Sequence, residues 1–327
     1  MDAIRWGILG TGGIARKFAD ALALLPEARL TAVGSRTSDS AESFGKAYKI
    51  PHRHGSYAAL MEDPDVDVIY VATVHPLHCE NCIGCLNAGK AVLCEKPFTM
   101  NLGEAEKVVA LARKKELFLM EAMWTRYFPA FGKIRSLLAE GVLGEVRQVQ
   151  ADFGAKPEFN PDGRLFNPAL GGGALLDLGV YPVSLASMVF GEFPRQIVSC
   201  AAMGSTGVDE QSAAVLEYSD GRMAAVSCSM RFVSPQEAHI IGTEGRIRIH
   251  RPWWYPDTIT IARADDKEET LTLPYRGNGY AHEAMEVMDC LRAGRLESSV
   301  MPLDESLQIM RTLDAIRAQW GLKYPGE

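Results

Sequence analysis

"IRWGILGTGGIARKFADALALL", residues 4–25, is the stretch on which the fold turns. Its first six residues are a short apolar run, and beyond them Ile14, Phe18, Leu22 and Leu25 recur at helical spacing. Between the two halves, Gly10-Thr11-Gly12-Gly13-Ile14-Ala15 fits the pattern G-x-G-x-x-G/A. At a strand-to-helix junction such glycines let the backbone approach a pyrophosphate held at the helix N-terminus. A bare glycine pattern is often only a tight turn. Here the strand, the helix and the first position in the chain agree, so the stretch predicts a dinucleotide-binding unit, with Gly10, Thr11, Gly12, Gly13 and Ile14 lining the phosphate turn.

The same alternation continues outward. "RLTAVGS" (29–35) reads as the next strand, "DSAESFGKAY" as a helix, "VDVIYVAT" (66–73) as a buried strand, "HPLHCENCIGCLNAGK" as a helix ending at Gly89, and "AVLCEKP" as a further strand. A helix is expected from Asn101, a natural N-cap, followed by the strand "LFLMEAM". Short apolar strands separated by helices imply a parallel, doubly wound sheet. After about residue 129, strand-like segments succeed one another: "EVRQVQADFG", "RQIVSCAAMG", "QSAAVLEYS", "RMAAVSCSMRF", "EAHIIGT", "GRIRIH" and "DTITIAR". Turn signals such as Asp220-Gly221 and Glu244-Gly245 separate them. The expected class is α/β: an N-terminal Rossmann domain over residues 1–122, then an α+β domain over 123–301 with a large, mostly antiparallel open sheet. The amphipathic segment 302–320 is expected to pack back on the first domain. An open sheet face needs a cover, and a second copy of the chain would supply it, so a homo-oligomer is expected.

Composition narrows the partners. With 327 residues, 47% hydrophobic and 23% charged, the chain is long enough for two globular domains. A formal charge of −7 argues against general affinity for nucleic acid or an anionic membrane, which need a basic footprint. No stretch reads as a signal peptide or membrane span, which makes the cytoplasm the expected location. Seven cysteines, an odd number, suit a reducing compartment better than a disulfide framework.

About twenty residues beyond the glycines, an NAD site carries Asp or Glu for the ribose 2′-hydroxyl. This chain has Ser35-Arg36-Thr37 there. Without a carboxylate a 2′-phosphate meets no repulsion, and a guanidinium can bond that phosphate and stack on adenine, so NADP is the expected cofactor. The alternative is that Arg36 is an ordinary solvated arginine.

Cys79-Glu-Asn-Cys82-Ile-Gly-Cys85, with Cys94 nearby, has iron–sulfur spacing. The three fall within one predicted helix, which rotates Cys85 well round from Cys79, whereas cluster ligands sit on a wrapping loop. Packing of a helix on a sheet is the preferred reading, and the histidines offer no H-x-x-x-H pair, so no metal is expected.

"VATVHPLH" (71–78) and "LCEKP" (93–97) leave their strands at the edge where an open α/β sheet binds its ligand. That places Thr73, His75, His78, Glu95 and Lys96 toward the nicotinamide end. "MWTRYFP" (123–129) crosses between the domains with Trp124 and Arg126, either as an aromatic and cationic wall over the cofactor or as packing residues. "GGGALLDLGVYPV" (171–183) carries Asp177 and Tyr181 four residues apart in an otherwise apolar run. On a helix these share a face, which is either a catalytic wall or a buried hydrogen bond.

With these residues together the chain resembles the glucose–fructose oxidoreductase and inositol dehydrogenase family over essentially its whole length, most of all its dihydrodiol and NADP-dependent D-xylose dehydrogenase branch. The resemblance rests on the glycine motif, on Glu95-Lys96-Pro97, and on Gly171-Gly172-Gly173 leading to Asp177 and position 181. It implies dimers or tetramers formed through the second sheet, and an acid and acid/base at Asp177 and Tyr181. Many members carry histidine at position 181, whereas the dihydrodiol and glucose–fructose branches resemble this chain in having tyrosine. A free phenol ionises near pH 10, so it needs an ammonium nearby, and Lys96 is the candidate. The expected activity is NADP-dependent hydride transfer to or from a secondary alcohol of a cyclic sugar, polyol or vicinal diol. The resemblance also takes in nucleotide-binding sensors without catalysis and glycosidases with tightly held NAD, which stand as alternatives.

Overall fold

The computed structural model of the protein describes residues 3–264 and 267–327. The chain divides into two compact units, the first running to Trp124 and including Arg276–Ser306, the second comprising Thr125–Tyr275 and Leu307–Glu327.

In the first unit β1 (Ile4–Leu9) leads into α1 (Gly13–Leu22), β2 (Ala28–Gly34) into α2 (Ser38–Ala47), and β3 (His52–His54) into α3 (Tyr57–Met61). Then follow β4 (Val68–Val71), α4 (His78–Asn87), β5 (Ala91–Glu95), α5 (Leu102–Lys115) and β6 (Leu119–Ala122). Among the described residues these strands form one parallel sheet in the order β3-β2-β1-β4-β5-β6. That order reverses between β1 and β4, the crevice where doubly wound sheets take a dinucleotide. Every residue of β4 and β5 is buried, as strands covered on both faces must be. Trp6, Phe18 and Tyr70 seat α1 on the sheet, with Phe18 and Tyr70 stacked at 3.8 Å between ring centroids. Asn101 caps α5 as expected, its side chain accepting the Glu104 N–H at 2.9 Å, and Arg113, Lys114 and Lys115 complement the dipole at the other end.

The second unit opens with α6 (Pro129–Ala139) and β7 (Val146–Gly154), then reaches a π-helical turn over Leu175–Gly179 that runs into α7 (Val180–Phe190). Seven further strands follow: β8 (Gln196–Met203), β9 (Asp209–Glu217), β10 (Met223–Ser229), β11 (Ala238–Gly242), β12 (Gly245–Ile249), β13 (Thr258–Arg263) and β14 (Glu268–Thr272). With β7 they form one sheet among the described residues, in the order β14-β13-β12-β11-β7-β10-β9-β8. It is antiparallel except for the β7–β10 pair. The π turn and α7 pack on one face, while Val198, Val215 and Met223 stand exposed on strands β8, β9 and β10.

Three features depart from the sequence reading. The segment 276–306, expected in the second domain, belongs to the first unit. There α8 (Ala281–Arg292) packs against α1, Asn278 donates to the Lys17 carbonyl at 2.7 Å, and the Leu119 N–H reaches the Leu296 carbonyl at 3.1 Å. The terminal helix α9 (Leu303–Ala318) was expected to return to the first domain. Only its first residues fall in that unit, and from Leu307 onward it belongs to the second, where Gln319 bonds the Ser199 N–H and the Ile197 carbonyl. Finally, Pro168–Phe190 is long and apolar enough to cross a membrane by length and composition alone, with a mean hydropathy of 1.5. Its most apolar window is 89% buried within the fold, so it is a core segment.

Candidate active site

The glycine turn is built as its sequence requires. Gly10 sits at φ +114°, where a side chain is disfavoured, and a Cβ there would come within 2.7 Å of the Ala72 carbonyl. Gly12 and Gly13 are the opposite case: a Cβ on either would meet no protein atom within 4 Å. Packing therefore does not explain these two glycines, whereas a phosphate passing over the turn does. Behind them α1 begins with no side-chain cap and no acid in its first turn, leaving its first N–H groups and the positive end of the helix dipole for an anion. The residues present fit a dinucleotide.

At the end of β2, Ser35 is buried, its N–H on the His54 carbonyl at 3.0 Å and its hydroxyl 3.5 Å from that of Thr11. Arg36 is exposed and adds a positive charge beside Tyr57. Thr37 has a different part from the one expected: its hydroxyl caps α2 by accepting the Ser40 N–H at 3.3 Å.

Beyond β4 and β5 the expected residues do two kinds of work. His78 is fully buried, with Nδ1 at 2.9 Å from the Pro97 carbonyl and Nε2 at 3.1 Å from the Thr73 carbonyl. Burial pushes its pKa down. It ties the two strand ends together rather than facing solvent. His75 is buried against its ring at 5.7 Å between centroids, and the Thr73 hydroxyl accepts from Asn81. Glu95 turns inward, accepting the Tyr70 hydroxyl and the Lys96 N–H. Below it lies Glu283 of α8, wholly buried, whose pKa is driven well up by burial and by the charge of Glu95. Lys96 is half-buried at the end of β5. Trp124 lies flat against Tyr280, with 4.1 Å between centroids and 2° between planes.

In the second unit Asp177 and Tyr181 flank the change from π to α geometry, so the simple α-helical spacing expected between them is modified by one wider turn. Such turns recur at functional sites. Arg164 donates to Asp177 Oδ1 at 2.9 Å. The Tyr181 ring lies 5.3 Å from Phe153, which stacks on Trp254 at 3.6 Å. Arg126, expected over the cofactor, is buried in this unit, its Nε on the Ser184 hydroxyl at 3.0 Å and Nη2 on the Ser184 carbonyl at 2.6 Å. It holds α7.

The entry to the π turn is clamped. The Leu175 N–H donates to Asp209 Oδ2 at 2.7 Å, and the Tyr324 hydroxyl donates to the Gly172 carbonyl at 2.7 Å. Burial pushes Asp209 up to about 7. Sequence reasoning passed over Arg164, Asp209, Tyr324, Phe153 and Trp254, because their partners stand far away in the chain. It also passed over a grouping of His52, His54 and Asp63, whose spacing an H-x-x-x-H test does not detect.

A parallel sheet in the order β3-β2-β1-β4-β5-β6 with an uncrowded glycine turn, in a chain whose second unit carries an acid and a phenol on one helical segment, has the make-up of a nucleotide-binding oxidoreductase. Residues 4–123 match the oxidoreductase family with an NAD-binding Rossmann fold, and residues 131–248 match the GFO/IDH/MocA C-terminal domain. The chain belongs to this family. It is 38% identical to a Xenopus tropicalis trans-1,2-dihydrobenzene-1,2-diol dehydrogenase, over 99% of this chain and 100% of that one. To the Homo sapiens protein of the same name it is 40% identical, over 99% and 98%. Among solved structures, the 3-ketoreductase KijD10 of Actinomadura kijaniata, in complex with NADP and TDP-benzene, superposes with a TM-score of 0.86 at 30% identity, covering 97% of this chain and 98% of that one. The aldose-aldose oxidoreductase of Caulobacter crescentus, complexed with glycerol, gives 0.88 at 25% identity, covering 98% of each. The fold class read from the sequence and the family resemblance both hold, and the chain is an oxidoreductase.

Proposed function

We propose that the protein is an NADP-dependent dehydrogenase or reductase acting on a ring-borne secondary alcohol, or its ketone, with a further hydroxyl beside it. The observation that carries this reading is the setting of Tyr181: a buried phenol on a π-to-α helix junction, lined by Phe153 and the Trp254 stacked on it, with Asp177 held by Arg164 one turn earlier. Aromatic planes favour a ring, and the polar groups favour its hydroxyls. Names of the relatives, a trans-1,2-dihydrobenzene-1,2-diol dehydrogenase, a 3-ketoreductase and an aldose-aldose oxidoreductase, support the same class.

A dinucleotide whose pyrophosphate lies on the glycine turn would supply the hydride acceptor or donor for the alcohol carbon. Tyr181 takes the hydroxyl proton in oxidation and returns it in reduction. Lys96 supplies the positive charge that lowers the cost of the phenolate and orients the substrate oxygen. Asp177 accepts from the neighbouring hydroxyl. Gly10, Thr11, Gly12, Gly13 and Ile14 hold the pyrophosphate, and Ser35 with Arg36 favours a 2′-phosphate over a bare ribose. Thr37, Thr73, His75, His78, Glu95, Trp124 and Arg126 position these groups. The exposed apolar residues of β8, β9 and β10 are the face on which a second copy of the chain packs.

The test is hydride transfer followed by the reduced-nicotinamide absorbance, with trans-cyclic diols, pyranose sugars and linear 2-hydroxy acids, each with NADP and with NAD. Turnover is expected with the cyclic substrates, with NADP favoured by about tenfold or more from one charge-assisted phosphate contact. Turnover confined to linear hydroxy acids, or equal use of both cofactors, contradicts the reading.

A further inference from the structure

On β3, the edge strand of the first unit's sheet, His52 and His54 alternate with Arg53 and so project from the same face. His52 Nδ1 stands 2.7 Å and His54 Nε2 2.8 Å from the same oxygen, Asp63 Oδ2. The three ligand atoms lie within 4.8 Å of one another. Asp63 comes from the turn after α3, and its side chain is only 3% exposed, while those of His52 and His54 are 37% and 24% exposed. Its other oxygen accepts the Asp65 N–H at 2.9 Å, which fixes the carboxylate plane and aims Oδ2 at the two rings. Arg53, between the histidines, is turned away to the Ile50 carbonyl and Glu42. Lys90 Nζ bonds the Asp63 and Val66 carbonyls, and so braces the turn without occupying the carboxylate.

We propose that His52, His54 and Asp63 form a binding site for a divalent transition ion of the zinc class, separate from the proposed hydride-transfer site. Two imidazoles and one carboxylate are the donor set such an ion prefers, and the half-exposed rings leave a fourth position for water. Both imidazoles now direct a ring N–H at one oxygen, and a single ion replaces those two protons. Tetrahedral ligands about 2.0–2.1 Å from a metal stand roughly 3.3 Å apart, so each ring nitrogen would draw back from the Asp63 oxygen by about half an ångström. The Asp65 N–H supplies the outer hydrogen bond that orients a ligating carboxylate. An ion here joins the edge strand to the turn after α3, and the His54 carbonyl carries that bracing to the Ser35 N–H.

The experiment uses the full chain, stripped with a chelator and titrated with zinc by calorimetry and with cobalt(II) by visible absorption. One ion per chain is expected at roughly micromolar affinity, with a tetrahedral nitrogen and oxygen cobalt spectrum that lacks a thiolate charge-transfer band. His52→Gln and His54→Gln keep an N–H for Asp63 but ligate poorly, and each should weaken zinc by about tenfold or more. The cobalt spectrum of the unsubstituted chain tests the site without relying on any variant. No binding below about a millimolar, unchanged affinity in folded glutamine variants, or a thiolate band from the cysteines overturns the proposal.

Discussion

Gly10 in the first unit and Asp209 in the second each set a turn through one close contact, with the Ala72 carbonyl and the Leu175 N–H. Gly10 is legible from its neighbours alone, since only glycine takes φ +114° against the Ala72 carbonyl. Arg164 is not, because nothing near it in the chain announces that its guanidinium pairs with Asp177. Asp209 is similar, thirty-four positions from the Leu175 N–H that it accepts. Its burial has a consequence in pH. An ordinary aspartic acid ionises near 3.9, whereas Asp209 in the folded chain does so at about 7. The folded state therefore holds a proton that the unfolded chain has released. The stability this confers is complete below about pH 4 and is lost as pH rises to about 7, beyond which it is flat. Asp209→Asn, which mimics the protonated form, should remove that fall. Urea unfolding at pH 4.5 and at pH 8 measures it, with the wild type losing up to about 3 kcal/mol more than the variant between the two. Parallel profiles contradict the assignment.

At the scale of elements, strong periodicity and capping were enough for β1, α1, β2, α2, α5 and the strands β7 to β13. Elements without such signals were missed. β3 is three half-buried polar residues, β14 is largely exposed, and α8 has Tyr280 at its N-cap position with no side-chain cap. The π turn over Leu175–Gly179 is invisible to a 3.6-residue period, because its stability comes from outside, through Asp209 and Tyr324. Gly173 meets this clamp at φ +126°, and a Cβ there would overlap Asp209 Oδ1 and stand 2.9 Å from the Tyr324 hydroxyl. Gly173→Ala should cost roughly 2 kcal/mol or more in unfolding free energy through backbone strain and overlap. It should also lower turnover more than cofactor affinity, since the π turn, not the glycine turn, is displaced. Denaturation with parallel kcat and cofactor titration checks both, and an unperturbed variant shows that the clamp does not set the turn.

Across the whole molecule, the alternation of strands and helices, and then of strands alone, was sufficient for the fold class, but not for the chain's return. Segment 276–306 goes back to the first unit through contacts such as Asn278 to the Lys17 carbonyl, which no local pattern encodes. The open sheet bears on assembly. Val198 and Val215 face each other across β8 and β9 and are 59% and 47% exposed, an apolar pair in solvent unless another copy covers it. The protein should sediment as a dimer or larger, and Val215→Lys as a smaller species; a monomeric wild type contradicts this. The central claim is that Tyr181 moves the proton that accompanies hydride transfer. It is tested most directly by kcat for Tyr181→Phe with a cyclic diol or pyranose and NADP, beside the NADP dissociation constant of the same variant. The account predicts kcat lower by about 10²–10⁴ with cofactor affinity unchanged, and a variant turning over at near the wild-type rate would contradict it.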